Sequence, residues 1–296
     1  MAALSPMGDE PMPIVHGFEL YRVIGEGGFG KVWLALHLTT KQVCAIKIVG
    51  KHSVGGRSAG DVERRAITLF RQMAEEASDG FVRVHEIGRV ESSGELFYSM
   101  QIADREDGAP VPEPLTGDTP MGKRVMDWVN QYRPRTVASD LRRFRRLPID
   151  DCVKLGAILA KALALMHAQR PPVCHNDVSP TNVLYVGGKP VLADPGLVGR
   201  EGCPPPARKL GYIHPEWHGT PKGDCYALGK TLYQTFTGRN PGEFPSLAGD
   251  CWPKDCKQER GFRALLRVIN TACDTSEPRG IWAELGGMVR RTVGRA

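Results

Sequence analysis

The sequence predicts an α+β fold, and three observations carry that prediction. Segments of strand composition, Phe18–Ile24, Trp33–Leu36, Val43–Lys47, Phe81–Gly88 and Leu96–Ala103, crowd the first third of the chain around one stretch of helical spacing. The later part is led by a long helical pattern, Asp151–His167, in which Val153, Leu155, Ile158, Leu159, Ala162, Leu163 and Met166 form a broad apolar face. With 296 residues, 41% of them hydrophobic, the chain is also long enough for two packed lobes with real cores.

Composition narrows the function classes. A net charge of +6 and a pI near 8.9 permit attraction to acidic partners but do not mark a nucleic-acid binder, so no nucleic-acid partner is expected. No stretch approaches the roughly 18–20 continuous apolar residues of a membrane span. The first residues lack the charged-then-apolar pattern of a signal peptide, and a cytoplasmic protein is expected. Cys44, Cys152, Cys174, Cys203, Cys225, Cys251, Cys256 and Cys273 are dispersed without CxxC spacing and read as reduced, mostly buried thiols. Cys251 and Cys256 form the one close pair, and without further clustered ligands they make no zinc site.

In chain order, residues 1–16 carry Pro6, Pro11 and Pro13 with little periodicity and read as a flexible tail. Residues 17–103 hold the strand-rich part. Its first strand runs into Gly25-Glu26-Gly27-Gly28-Phe29-Gly30-Lys31-Val32, where glycines let backbone N–H groups approach phosphates without Cβ interference. A dinucleotide-binding fingerprint would open a helix at this point, whereas here strand composition continues to Val43-Cys44-Ala45-Ile46-Lys47. Val62, Ala66, Leu69, Phe70 and Met73 then repeat at helical spacing, with Glu63, Arg64 and Arg65 near the start and Glu75 and Glu76 late.

Residues 104–136 turn to Pro, Gly, Asp and Arg, too long for an ordinary loop and too polar for a core, and are read as an insertion. Arg142, Arg143, Arg145 and Arg146 follow as a solvated helix face. Within 137–296, the long helix delivers the chain to His175-Asn176-Asp177-Val178-Ser179-Pro180-Thr181-Asn182. Asp194-Pro195-Gly196 comes at the end of the apolar run Val191-Leu192-Ala193. One carboxylate able to orient a hydroxyl, followed by an amide oxygen and a second carboxylate able to hold a hard cation, is an inventory for phosphoryl transfer.

This ordered series resembles the eukaryotic-like protein kinase superfamily, in its bacterial Ser/Thr form, with atypical HND catalytic and DPG metal loops. The Tyr132–Thr136 segment, Tyr-x-Pro-Arg-Thr, resembles one found in a group of bacterial kinases. The resemblance implies a two-lobed fold, with an N-lobe antiparallel sheet plus helix αC and a mostly helical C-lobe, working on ATP with Mg2+. It implies that Ile24 to Gly30, Val32, Ala45, Met100 as gatekeeper, and the Gln101 and Ala103 backbone meet the nucleotide. Lys47 would grip the phosphates, Glu63 would orient Lys47, and Ile67 one turn later would sit in a hydrophobic spine. Asp177 would be the catalytic base, Asn182 and Asp194 the metal ligands. His175, Glu216 in Tyr212-Ile213-His214-Pro215-Glu216, Asp224 and Arg279 would be structural, with Arg279 paired to Glu216.

Four departures from the family bear on function. Asn176 stands where regulated kinases carry an arginine, and no Ser or Thr lies between Pro195 and Ile213, so activation-loop phosphorylation is not expected to be the switch. Ser179 replaces a lysine that faces the γ-phosphate, and Lys209 falls where a threonine is usual; the two positions look exchanged, which makes Lys209 a candidate catalytic cation. Pro195 replaces an aromatic residue, which fixes its own φ, biases Asp194 away from the α region and removes a ring from the spine. The expected activity is transfer of the γ-phosphate of ATP to Ser or Thr of a protein substrate. The HNDVSPTN segment also resembles aminoglycoside and choline kinases, and a nucleotide-binding pseudokinase scaffold is the third reading.

Overall fold

β-branched and aromatic residues at alternating positions pair into an antiparallel sheet of order β1-β2-β3-β7-β6. Its strands are β1 (Phe18–Gly27), β2 (Gly30–His37), β3 (Val43–Val49), β6 (Val84–Arg89) and β7 (Leu96–Met100). Between β3 and β6 come the short hairpin strands β4 (Ser53–Val54) and β5 (Arg57–Ser58) and the helix α1 (Ala59–Glu76). The computed structural model describes residues 12–51, 53–54, 57–77, 79–110, 123–203, 205, 209–245 and 260–273.

Register decides what faces the cleft. Gly25 pairs with Val32, Val32 with Lys47, and Lys47 with Tyr98. Paired residues share a sheet face, so Lys47 projects beside Val32 and Tyr98 from the middle of the sheet. Gly30 opens β2 at φ 140°, and a Cβ there would lie 2.0 Å from the Ile48 carbonyl oxygen, so only glycine fits the turn. In α1, Ala59, Glu63, Ala66, Ile67, Phe70 and Met73 are buried at successive turns, which places a carboxylate on an otherwise apolar stripe.

The second lobe is built on α4 (Ile149–His167), α5 (Pro221–Thr237) and α6 (Arg260–Cys273), preceded by α2 (Lys123–Gln131) and α3 (Val137–Phe144). Thr136 caps α3 through a reciprocal bond pair with Ser139, and Thr220 caps α5 by accepting from the Gly223 N–H. Gly229 lets α5 and α6 close on each other, since a Cβ there would fall 2.7 Å from both Ala272 Cβ and Cys273 Sγ. Short strands β8 (Val173–Cys174), β9 (Val183–Val186), β10 (Lys189–Leu192) and β11 (Gly199–Arg200) form two antiparallel pairs, β9 with β10 and β8 with β11. Among the described residues no helix is long and apolar enough to cross a membrane.

The lobes are joined through backbone. Val82 N–H donates to Leu192 O at 2.8 Å, and Leu192 N–H to Gly80 O at 2.9 Å. The strand expected at Phe81–Gly88 starts later for this reason: Phe81 and Val82 leave the sheet to pair with Leu192. The strand expected to reach Ala103 stops at Met100, and Asp104 then accepts from both Gly187 and Gly188 N–H groups, tying residues 101–104, the hinge that leaves the sheet lobe, to the β9–β10 turn. The segment read as too polar for a core is corrected in part. Its residues 111–122 lie outside the described residues, but Trp128, Val129 and Tyr132 are buried against Leu34 of β2.

Candidate active site

Lys47 Nζ lies 2.8 Å from Glu63 Oε1 and 2.7 Å from Asp194 Oδ1. Burial pulls the ammonium's pKa down, but the two carboxylates outweigh it and hold Lys47 above its usual value. Burial likewise acts to raise Asp194, yet Lys47 and the Gly196 N–H keep it below the ordinary carboxylate range. Glu63, wholly buried, is pushed up by that burial despite the lysine beside it. The Tyr98 hydroxyl donates to Glu63 Oε1 at 3.1 Å, a support from β7 that sequence reasoning missed. Glu75 and Glu76 are exposed at the far end of α1, so Glu63 is the carboxylate that meets Lys47.

Asp194 adopts φ 57° and ψ 79°, left-handed rather than the extended form that a following proline favours. Such a conformation is strained for a non-glycine residue, and here the Lys47 and Gly196 contacts hold it. From α1, Phe70 meets His175 edge-on with centroids 6.1 Å apart and Phe81 at 5.3 Å.

The catalytic-loop candidate is pinned from below by Asp224 on α5. This buried carboxylate accepts the His175 N–H at 2.7 Å, the Asn176 N–H at 2.8 Å and a bond from His167 Nε2 at 3.0 Å. His167, at the end of α4, was not anticipated. Asn176 takes φ 66°, which asparagine tolerates, and its amide donates to Leu197 O at 2.9 Å, linking this loop directly to the segment after Asp194.

Within the loop, Asn182 Nδ2 donates to the Asp177 carbonyl at 2.9 Å, which fixes the asparagine's orientation. Burial raises the Asp177 carboxyl, with Lys209 the chief opposing charge. Asp177 Oδ1 is buried without a hydrogen-bond partner among the described residues. Lys209 Nζ donates to Ser179 Oγ at 2.9 Å and to Thr181 Oγ1, and lies 6.0 Å over the Tyr212 ring. The lysine thus occupies the space beside Ser179.

These groups open into one cleft of about 620 Å³, a size usual for small-ligand sites. Every residue from Ile24 to Gly30, with Val32, Ala45, Lys47, Met100, Gln101 and Ala103, lines it, as do Asp177, Asn182, Asp194 and Lys209. Sequence reasoning missed Tyr98, Tyr132, Thr136 and Leu184 on its walls. A Cβ at Gly27 or Gly28 would meet nothing within 4 Å, so the loop's tip leaves room for a phosphate chain. Among the described residues no group of three or more His, Cys, Asp or Glu side chains could hold a metal. Asn182 and Asp194 bring an amide oxygen and a carboxylate to the same cleft, oxygen donors of the kind that a magnesium ion takes alongside phosphate and water. Glu216 is exposed, and Arg279, its expected partner, lies outside the described residues.

No protein-family model matches the chain. It is similar to CBL-interacting protein kinase 4 of Oryza sativa subsp. japonica, 26% identical over 81% of this chain and 48% of that protein. Mitogen-activated protein kinase kinase kinase 8 of Rattus norvegicus is 27% identical over 84% of this chain and 50% of its own length. Serine/threonine-protein kinase PknK of Mycobacterium tuberculosis is 23% identical over 94% of this chain and 22% of its own length. The chain thus spans half or less of the curated relatives it matches here. Taken with a five-stranded sheet set over a helical lobe, these likenesses along most of the sequence support a place in the protein kinase superfamily.

Proposed function

We propose that the protein is an ATP- and Mg2+-dependent protein kinase that phosphorylates Ser or Thr hydroxyls. The observation that carries this reading is the half-buried Asp177 carboxylate, which lines the cleft together with Asn182, Asp194 and Lys209. A carboxylate on the cleft wall can accept a hydrogen bond from a substrate hydroxyl that enters it. Asp177 would accept the hydroxyl's hydrogen bond and then its proton as the hydroxyl oxygen displaces ADP from the γ-phosphorus. Burial strengthens the carboxylate as a base.

The other residues position and neutralise. Lys47, oriented by Glu63, would bind the α- and β-phosphates beneath the glycine loop. Asn182 and Asp194 would hold magnesium, which when bound neutralises charge on the phosphates. Lys209 brings the cation that Ser179 does not, close to Asp177, where a fixed positive charge stabilises the transferring phosphoryl group. The Asn176–Leu197 bond joins the two loops without a phosphorylated residue, which favours a constitutively ordered site.

The acceptor class is tested by incubating the protein with γ-labelled ATP, Mg2+ and a generic basic protein, beside a set of aminoglycosides and choline. Label recovered as phosphoserine or phosphothreonine is expected. Label on the small molecules alone, or bound ATP with no transfer to any acceptor, would contradict it.

A further inference from the structure

The register sets Arg22, Leu34, Ala45 and Met100 in one cross-strand row, next to the row that carries Lys47. Paired residues share a face, so this row also looks toward the cleft. Ala45 and Met100 line the cleft itself, whereas Leu34 is covered by Trp128, Val129 and Tyr132 at the end of α2. Ile24, which leads into the glycine loop, packs at the edge of the same cluster.

Polar bonds fix this contact. Arg22 Nε donates to Val129 O at 2.9 Å, and Arg22 Nη2 donates to Tyr132 O, so one guanidinium from β1 satisfies carbonyls at the end of α2. Tyr132 is fully buried and lines the cleft, and its hydroxyl donates to the Ala103 carbonyl at 3.0 Å. A single short run therefore holds β1, β2 and the hinge at once.

We propose that residues 128–132 form a nucleotide-positioning clamp, in which Tyr132 sets the hinge backbone at Ala103 and Arg22 ties the glycine-loop hairpin to it. The inference rests on the reading of the cleft as an ATP site. The tip of the glycine loop is open around Gly27 and Gly28, so its position is inherited from the hairpin behind it. Fixing hairpin and hinge in advance removes an ordering cost that nucleotide binding would otherwise meet. Tyr132 and Arg22 are thus positioning residues, acting through Ala103 and the loop.

The test uses the full chain with Tyr132→Phe and with Arg22→Met, measuring the Kd of a fluorescent ATP analogue, KM for ATP, kcat and Tm. Loss of one net hydrogen bond predicts that Kd and KM for ATP rise about three- to ten-fold while kcat holds. Arg22 is half-buried, and its variant keeps the proposal testable if Tyr132→Phe does not fold. A lower Tm with unchanged Kd and KM would mean a merely structural contact and would overturn the clamp. Wild-type protein that binds no ATP would overturn the cleft reading and the clamp together, whereas normal wild-type binding with unaltered variants would overturn the clamp alone.

Discussion

Lys209 shows how much a single position can decide. An ammonium that donates to Ser179 and Thr181 and acts on Asp177 is placed by its partners, not left to solvent. Removing one such stabilising donor costs roughly 10²–10³-fold in kcat at other active sites. Lys209→Ala is therefore expected to lower kcat by at least about ten-fold with little change in KM for ATP. Exchange of the two positions, Ser179→Lys with Lys209→Thr, should recover part of the loss. An unchanged kcat in Lys209→Ala would refute the role. Such residues were legible because chemistry demands particular types at fixed spacing: Lys47, Asp177, Asn182 and Asp194 all sit on the cleft. Tyr98 was not legible as a site residue, since an aromatic in a strand reads as core, and only the register brings its hydroxyl to Glu63. His167 was hidden likewise, a last-turn helix residue whose partner lies on α5.

Among elements, the β1–β2 hairpin is the most tightly specified. Gly30 must turn at a φ that L side chains avoid, under the Ile48 carbonyl. Gly30→Ala is expected to cost on the order of 1–3 kcal/mol of stability and to weaken ATP binding more than any change at Gly27, where a Cβ meets nothing. Thermal melting and ATP titration of the two alanine variants would check this, and equal behaviour would count against it. Strand and helix positions in the sheet lobe followed from period and turn residues, while their ends moved where long-range pairing intervened, as at Phe81 and Val82. α2 was missed for a different reason. Trp128 and Tyr132 are one turn apart, but they stand in a stretch whose charges and prolines read as solvated, and their burial depends on Leu34 far earlier in the chain.

At the scale of the whole molecule, the cleft exists because two lobes meet along few, definite bonds. Gly80 and Val82 pair with Leu192, and Asp104 grips the Gly187–Gly188 turn. From one side come Lys47 and the glycine loop, from the other Asp177, Asn182, Asp194 and Lys209. Positioning is most of what phosphoryl transfer requires, so under the proposed function that meeting of lobes would itself be part of the mechanism. The most direct measurement is the rate of γ-phosphate transfer from labelled ATP by wild type and by Asp177→Asn, with ATP affinity determined in parallel. Loss of a general base predicts that transfer falls about 10²–10⁴-fold in the variant while ATP binds as before. Equal transfer by the two proteins, or ATP binding without transfer by the wild type, would contradict the account.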